Sequence, residues 1–452
     1  MLYDFKLPHD LYYWGQDRYG SLIPLLGQLF FKIFNFQAIT SESLTHYILL
    51  TLGYFGFASL LKSKVNKIIF AFIWFFPPMR MIDLLRLNLG TQYCLIGMSV
   101  FIINKLSLYK YENNNIRKHL LLLLVVVLLS TSIWVADTSV ITVFILLTLL
   151  ACNYYKRYSI KSIFTSNEIY YALFGCLITT VFIIYAKSVS TKVSHYQEFN
   201  SIPIIIDSFK IFVETLYSFI SFNSDEPFTS IYCYLLLGLL SLIAFFYKHI
   251  QINSTIKKWV ILFVLDGMAV IGVIMISKWA YLNGVPRRYF VSAYISFWIA
   301  GLILVDNWHV EKGGKYILNT ILFFTVFVGS IGAIYNMQYV SPKRLTPMVK
   351  IVRELDTLGR IGIIGEYWNS YIYACANPDS IKATPNDVPW GVRNIDLAHE
   401  VVRERNIYII KDSWLEHYPD TLRQFGAMLL KDGDEFNLAN CTLCKYKRVG
   451  SY

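Results

Sequence analysis

Residues 119–136 read HLLLLLVVVLLSTSIWVA, 18 positions with one titratable side chain, His119, at the edge. Wound as an α-helix, such a run extends about 27 Å and nearly matches the ~30 Å hydrocarbon core of a bilayer. Runs of the same kind recur near 44–61, 169–187, 229–247, 259–277, 289–305 and 317–335. Three shorter or interrupted runs, 67–78, 88–104 and 138–152, are counted with them because an alternating topology needs them. The expectation is an α-helical polytopic membrane protein of about ten transmembrane helices. Composition agrees: 55% of the 452 residues are hydrophobic, 17% aromatic and only 16% charged, too apolar for an ordinary soluble enzyme. The segment from Ser21 to Phe36 differs, because Pro24, Gln28, Lys32 and Asn35 punctuate an apolar pattern in the manner of a helix lying along the interface.

The net charge of +11 fits either a nucleic-acid binder or basic cytoplasmic loops. Residues 336–452 hold 15 basic and 14 acidic residues, so the excess sits on the hydrophobic two-thirds and a nucleic-acid partner is set aside. With Met1 to Gly20 outside, the inner connections 62–67, 105–118, 153–168, 248–258 and 306–315 carry 15 Lys or Arg in 57 residues. That is about twice the density of the outer connections, the sense expected for cytoplasmic loops. Acidic and aromatic residues gather on the outer face, in Met1 to Gly20, Pro77 to Leu87 and Ser188 to Pro227.

Three regions follow: an external loop with an interfacial helix (1–43), a transmembrane domain (44–337) and a soluble external α/β domain (338–452). In the last, RIGII (360–364) and NIYII (406–410) read as strands, with helices expected over Ile395 to Glu404 and Asp420 to Leu430. Its GIIGEYW lacks the glycine spacing of a dinucleotide site. Arg403 stands where a zinc-protease helix beginning at His399-Glu400 needs its second His, and Cys441 and Cys444 offer too few thiolates for a zinc site. Those two cysteines are expected as a local disulfide or as free thiols. Asp266, inside an apolar run, is expected to be hydrogen-bonded or protonated and to face the bundle.

The densest constellation is Asp10 to Pro24, DLYYWGQDRYGSLIP. Two carboxylates here suit a general base for an acceptor hydroxyl, and the aromatics suit stacking on sugar rings. An aromatic belt with a solvated Asp17 and Arg18 pair is the alternative from composition alone. Together with the span that follows, HDLYYWGQDRYGSLIPLLGQLFFKIF resembles the first external loop and juxtamembrane helix of the GT-C membrane glycosyltransferases. The likeness is to the bacterial group that includes protein O-mannosyltransferases and aminoarabinose transferases. That resemblance implies a catalytic Asp at Asp10, with Asp17 in reserve, and sugar or acceptor contacts from Tyr13, Trp14, Gln16 and Arg18. FPPMRMIDLLRLNLG resembles the family's second external loop. It implies a second acid at Asp83, with Arg80 beside it as a lipid-phosphate contact and Arg86 near, and leaves a divalent cation open. The bare alternative is that Arg80, Asp83 and Arg86 pair with one another on a helix face. NGVPRRYF (283–290) resembles an external Arg-Tyr motif and implies a lipid-phosphate contact from Arg287 or Arg288, where a fixed guanidinium binds phosphate bidentately. Headgroup anchoring by interfacial Arg and Tyr is the competing reading. Lys187, Lys192, His195 and Tyr196 on the long external connection are further candidates to line the site. In the family a first span precedes the catalytic Asp, and none precedes Asp10 in this sequence.

The expected function is transfer of a sugar from a polyprenyl-phosphate donor to a cell-envelope glycan or lipid acceptor at the inner membrane's external face. A polysaccharide polymerase or ligase is the alternative. A transporter would show internal repeats and midplane polar groups, of which only Asp266 is clear.

Overall fold

A computed structural model describes residues 5–15, 17–82, 88–106, 116–157, 166–190, 199–245, 253–308, 312–337, 352–374, 377–388 and 392–451. Gln16, Asp83, Arg86, Lys192, His195 and Tyr196 lie outside the described residues.

The chain is mostly helical. After a loop with one 3-10 turn at His9–Leu11 come α1 (Leu22–Gln28), continued as a π turn over Leu29–Ile33, then α2 (Ala38–Ala58), α3 (Lys64–Phe75) and α4 (Asn88–Lys105). Next are α5 (Ile116–Val135), α6 (Ser139–Arg157), α7 (Asn167–Ser188), α8 (Ile202–Ile220), α9 (Pro227–Phe245) and α10 (Ser254–Ile276). A short α11 (Lys278–Leu282) and a 3-10 turn at Arg287–Phe290 lead into α12 (Val291–Asp306) and α13 (Lys312–Met337). Among the described residues, six helices are long and apolar enough to cross a membrane: α5, α7, α9, α10, α12 with its preceding turn, and α13. The expected tally of about ten is larger because it includes α2, α3, α4 and α6. α3 has only 12 residues, and α2 carries Ser41, Glu42, Ser43, Thr45 and His46 in its first half.

α2 and α4 meet through glycines. A Cβ on Gly56 would stand 2.1 Å from the Gly97 carbonyl oxygen, and one on Gly97 would stand 2.6 Å from that of Gly53. Backbones this close leave no room for side chains and lock the two helices by dispersion contacts, to which Asn104 Nδ2 adds a hydrogen bond to the Ser59 carbonyl (3.4 Å) where α2 ends. Deeper in the bundle, Asp266 is fully buried and accepts hydrogen bonds from Tyr93, from Thr142 Oγ1 (2.5 Å) and from Ser296 Oγ (2.7 Å). It joins α4, α6, α10 and α12, so the expected hydrogen-bonded, bundle-facing role holds.

The bundle has two distinct ends. At one, Asp306 accepts from the Lys62 backbone N–H (2.7 Å) and Asn66 Nδ2 (2.7 Å), while Lys118 pairs with Glu168 at 2.5 Å. The other end carries the loop of residues 5–15 and 17–21, the turn at Ala136 to Thr138, and the turns around Arg80, Glu226 and Arg287.

The C-terminal unit contains a mixed seven-stranded sheet in the order β2-β1-β3-β7-β5-β4, with β6 paired to β7. Its strands are β1 (Ile361–Gly365), β2 (Ile381–Pro385), β3 (Ile407–Ile410), β4 (Thr421–Gln424), β5 (Ala427–Lys431), β6 (Phe436–Leu438) and β7 (Cys441–Ser451). β1 is parallel to both β2 and β3, and the rest pair antiparallel. Helices α14 (Tyr367–Ala374) and α15 (Ile395–Val401) pack on it. α15 and the strands β1 and β3 meet expectation. The helix expected over Asp420 to Leu430 is instead the β4–β5 hairpin. Phe425 (φ 50°) and Gly426 (φ 71°) turn the chain in two left-handed residues, the geometry of a tight hairpin loop, and Gln424 then pairs with Ala427. Cys441 and Cys444 are free thiols. Three positions apart on one strand, they point to opposite faces, so no bond can join them.

Candidate functional site

Asp10 is 2% exposed, and its carboxylate holds the first loop together. Oδ2 accepts the Lys6 backbone N–H (2.7 Å), and Oδ1 accepts the Trp14 indole N–H (2.8 Å) with His9 Nδ1 at 3.2 Å. The Ser21 hydroxyl donates to the Asp10 carbonyl. From there the chain folds back: Tyr12 pairs with Gly20 in an antiparallel bridge, and the Tyr13 N–H donates to the Tyr19 carbonyl (3.1 Å). The loop sits on the end of α5. Gly20 N–H donates to the Trp134 carbonyl (3.0 Å), and the Trp134 indole N–H returns a bond to the Leu11 carbonyl (2.9 Å). A Cβ on Gly20 would meet the Trp134 carbonyl oxygen at 2.6 Å, so only glycine permits this seating.

At the tip of the same loop Asp17 is 4% exposed, and its charge acts on both Tyr12 and Asp137. Burial pushes the Tyr12 and Tyr19 phenols up. Arg18 and Arg288 both pull Tyr19 back down, so both positive charges are felt at one phenol. Arg18 lies 4.8 Å from the Trp279 ring centroid and 5.2 Å from that of Tyr19. Asp137, in the turn between α5 and α6, pairs with Lys187 at the end of α7 (3.0 Å). Desolvation raises the Asp137 carboxyl and Lys187 lowers it, while 45% of the side chain still reaches solvent.

A few residues away in the fold, Arg80 is pinned. Its guanidinium donates to the carbonyls of Ser218 (3.1 Å) and Glu226 (3.3 Å) and lies 3.6 Å from the Glu226 carboxylate. Glu226 also accepts the Thr229 N–H (3.2 Å) at the start of α9. The exposed Arg287 donates to the Arg80 carbonyl (2.9 Å). The regions around residues 10–24, 80 and 287–288, distant in sequence, thus gather at one end of the bundle. Tyr13 and Trp14 are half-buried, and Trp14 is committed to Asp10.

Sequence reasoning missed four participants. Asp137 was visible as the one acid within the apolar stretch 119–152, and Glu226 as the acid before a span. Trp279 and Arg393 carry no local signal. Arg393 comes from the C-terminal unit: its guanidinium stacks 5.3 Å from the Tyr367 ring, and Nη1 donates to the carbonyl of Gly15 (3.5 Å), a residue held at φ 68°. The Arg393 N–H donates to the Tyr371 hydroxyl (3.3 Å), a phenol that burial raises to about 12.

An apolar groove of about 410 Å³ runs between α5, α6 and α7, lined by Leu129, Ile133, Val140, Gly175, Thr179 and Ile183 among others. Glu168 lines its far end. Its near end lies within a helical turn of Asp137 and Lys187, since Val140 and Ile183 flank those residues on α6 and α7. Among the described residues no group of three or more His, Cys, Asp or Glu is placed to hold a metal ion. No protein-family model matches the chain, and no curated protein or solved structure does either.

Proposed function

We propose that the chain is an integral membrane glycosyltransferase of GT-C type, using a polyprenyl-phosphate sugar and a cell-envelope glycan or lipid acceptor. The observation that carries this reading is the apolar groove between α5, α6 and α7 ending beside a charged cluster. A groove of this lining suits an isoprenoid chain, and Lys187 within a helical turn of its mouth, with Arg18 and Arg288 at the same end of the bundle, suits the phosphate. The end bearing the loop is the external one in this reading, at the cytoplasmic membrane, with the C-terminal unit on the same side. The opposite end carries Lys62, Lys64, Lys67, Lys105, Arg117 and Lys118, the distribution of a cytoplasmic face.

Asp17 takes the base role ahead of Asp10. Both Asp10 oxygens accept donors that shape the loop, and the charge of Asp17 acts on Tyr12 and on Asp137, the partner of Lys187 near the groove. In the proposed step the acceptor oxygen attacks the anomeric carbon and gives its proton to Asp17. The bond to phosphate breaks, and the polyprenyl phosphate leaves against Arg288 and Lys187, whose charge stabilises the departing anion. Asp83, if it completes the site as a second acid, does so from outside the described residues.

The test is purified protein with a panel of radiolabelled polyprenyl-phosphate sugars and a membrane extract as acceptor. Labelled glycan plus free lipid phosphate supports transfer. Elongation of lipid-linked glycans without use of any monosaccharide donor would replace this reading with a polymerase or ligase.

A further inference from the structure

We propose that α8 lies in the plane of the bilayer with Ile202, Ile206, Phe209, Val213 and Leu216 immersed among lipid acyl chains. This seat holds Arg80 and Arg287 at headgroup depth. α8 is not among the six candidate spans and divides into three flanks. One is taken by the bundle: Ser208 and Phe219 are buried, and Phe212 stacks on Phe290 at 5.0 Å. A second carries the helix's charges, Asp207, Lys210 and Glu214, all exposed. The third is the stripe, spaced four, three, four and three residues apart and therefore one helix face. Its side chains are 75%, 65%, 56%, 46% and 36% exposed in that order.

An apolar face this long is stable in water only when covered. The charged flank lies opposite the midpoint of the two apolar flanks, which is the arrangement of a helix lying flat at a membrane surface. Lipid is the occupant because the spans against which α8 packs also carry exposed apolar side chains. Tyr234 and Leu237 of α9 are 51% and 47% exposed, and Leu265 and Met268 of α10 are 47% and 61% exposed. The consequence for the charged end follows from two hydrogen bonds. The carbonyl of Ser218 near the end of α8 accepts Arg80, and the carbonyl of Arg80 accepts Arg287. The depth of α8 is thereby transmitted to two guanidinium groups at the level where lipid phosphates lie.

The experiment places nitroxide labels on the full chain in phosphatidylethanolamine and phosphatidylglycerol vesicles. Ile206→Cys, Phe209→Cys and Val213→Cys report the stripe, and Lys210→Cys and Glu214→Cys the charged flank. All are made with Cys152→Ser and Cys176→Ser, because those two thiols are exposed, and the unsubstituted background is subtracted. Every labelled position is exposed, so the variants are expected to elute as the parent does. The expected result is a severalfold higher ratio of oxygen to nickel-chelate collisions on the stripe than on the charged flank. Equal nickel contact on both would overturn the proposal by placing the stripe in water. Loss of contact with both reagents, with dipolar broadening between labels at Phe209, would overturn it in favour of a second copy of the chain.

Discussion

Asp10 and Asp17 lie seven residues apart in one loop, and their neighbours separate their roles. Because Asp10 ties Lys6 and Trp14 together, Asp10→Asn keeps one acceptor oxygen and loses the other, at a cost of about 1–3 kcal/mol. Its signature is a lower midpoint in thermal unfolding, with turnover per folded molecule largely kept. Asp17→Asn is expected to lower transfer per folded molecule by about 10²–10⁴-fold, the usual range for a lost general base. The reverse pattern would return the base to Asp10. A second prediction concerns Cys441, whose thiol donates to the Leu438 carbonyl (3.1 Å) and which burial pushes up to about 11 from 9.0. An acid with a raised pKa keeps its proton to higher pH in the folded chain than in the unfolded one. Folding stability from this group therefore falls as pH rises through that window, and the thiolate forms only toward its top. Alkylation of Cys441 followed by mass spectrometry from pH 8 to about 12 should give a midpoint near 11 in the folded protein and near 9 after denaturation.

At the scale of elements, α2 and α4 test how far glycine spacing controls the bundle. Gly56→Ala places a methyl group against the Gly97 carbonyl, so the helices must separate. The expected loss is about 1–3 kcal/mol from overpacking, read as a shift in denaturant midpoint in detergent. Gly238→Ala on α9 is the control, since nothing lies within 4 Å of its added Cβ, and it should leave the midpoint unchanged. These helices also mark what the sequence made legible. Uniform apolar runs such as Ile116–Val135 announced themselves, because lipid demands continuous hydrophobicity. α2 and α4 are weaker signals, since helices buried against protein need no such uniformity. α8 was read as part of a connection because Asp207, Lys210 and Glu214 interrupt its apolar pattern, although the same charges at helical spacing mark one flank. The β4–β5 hairpin was misread because LRQFGAMLL satisfies helical periodicity as well as strand alternation, and the two left-handed residues at its turn were decisive. In the candidate site, Asp10, Asp17, Arg80 and Arg287 were legible as polar residues in loops. Asp137 and Trp279 join them only through folding.

At the scale of the molecule, Arg393 reaches from the sheet unit to the loop that carries Asp10 and Asp17. It closes a circuit: Tyr367 and Tyr371 orient its side chain and backbone, and its guanidinium meets Gly15, which lies between the two acids in sequence. The hydrogen bond from Nη1 to Gly15, at 3.5 Å, is worth about 1 kcal/mol or less in net terms. Its leverage lies in position, because Gly15 sits at a left-handed turn between the residues that form and tip the loop. Arg393→Ala should lower stability by about 0.5–2 kcal/mol through loss of that bond and of the stacking on Tyr367. It should raise hydrogen exchange at the amides of Tyr13 and Gly20, which are bonded within the loop and to α5. Arg393→Lys keeps the charge but not the planar stacking on Tyr367, so an intermediate exchange rate is expected. Exchange in the loop unchanged by Arg393→Ala would mean that α5 and Asp10 alone fix its shape, and that the C-terminal unit acts on the site only through whatever it binds.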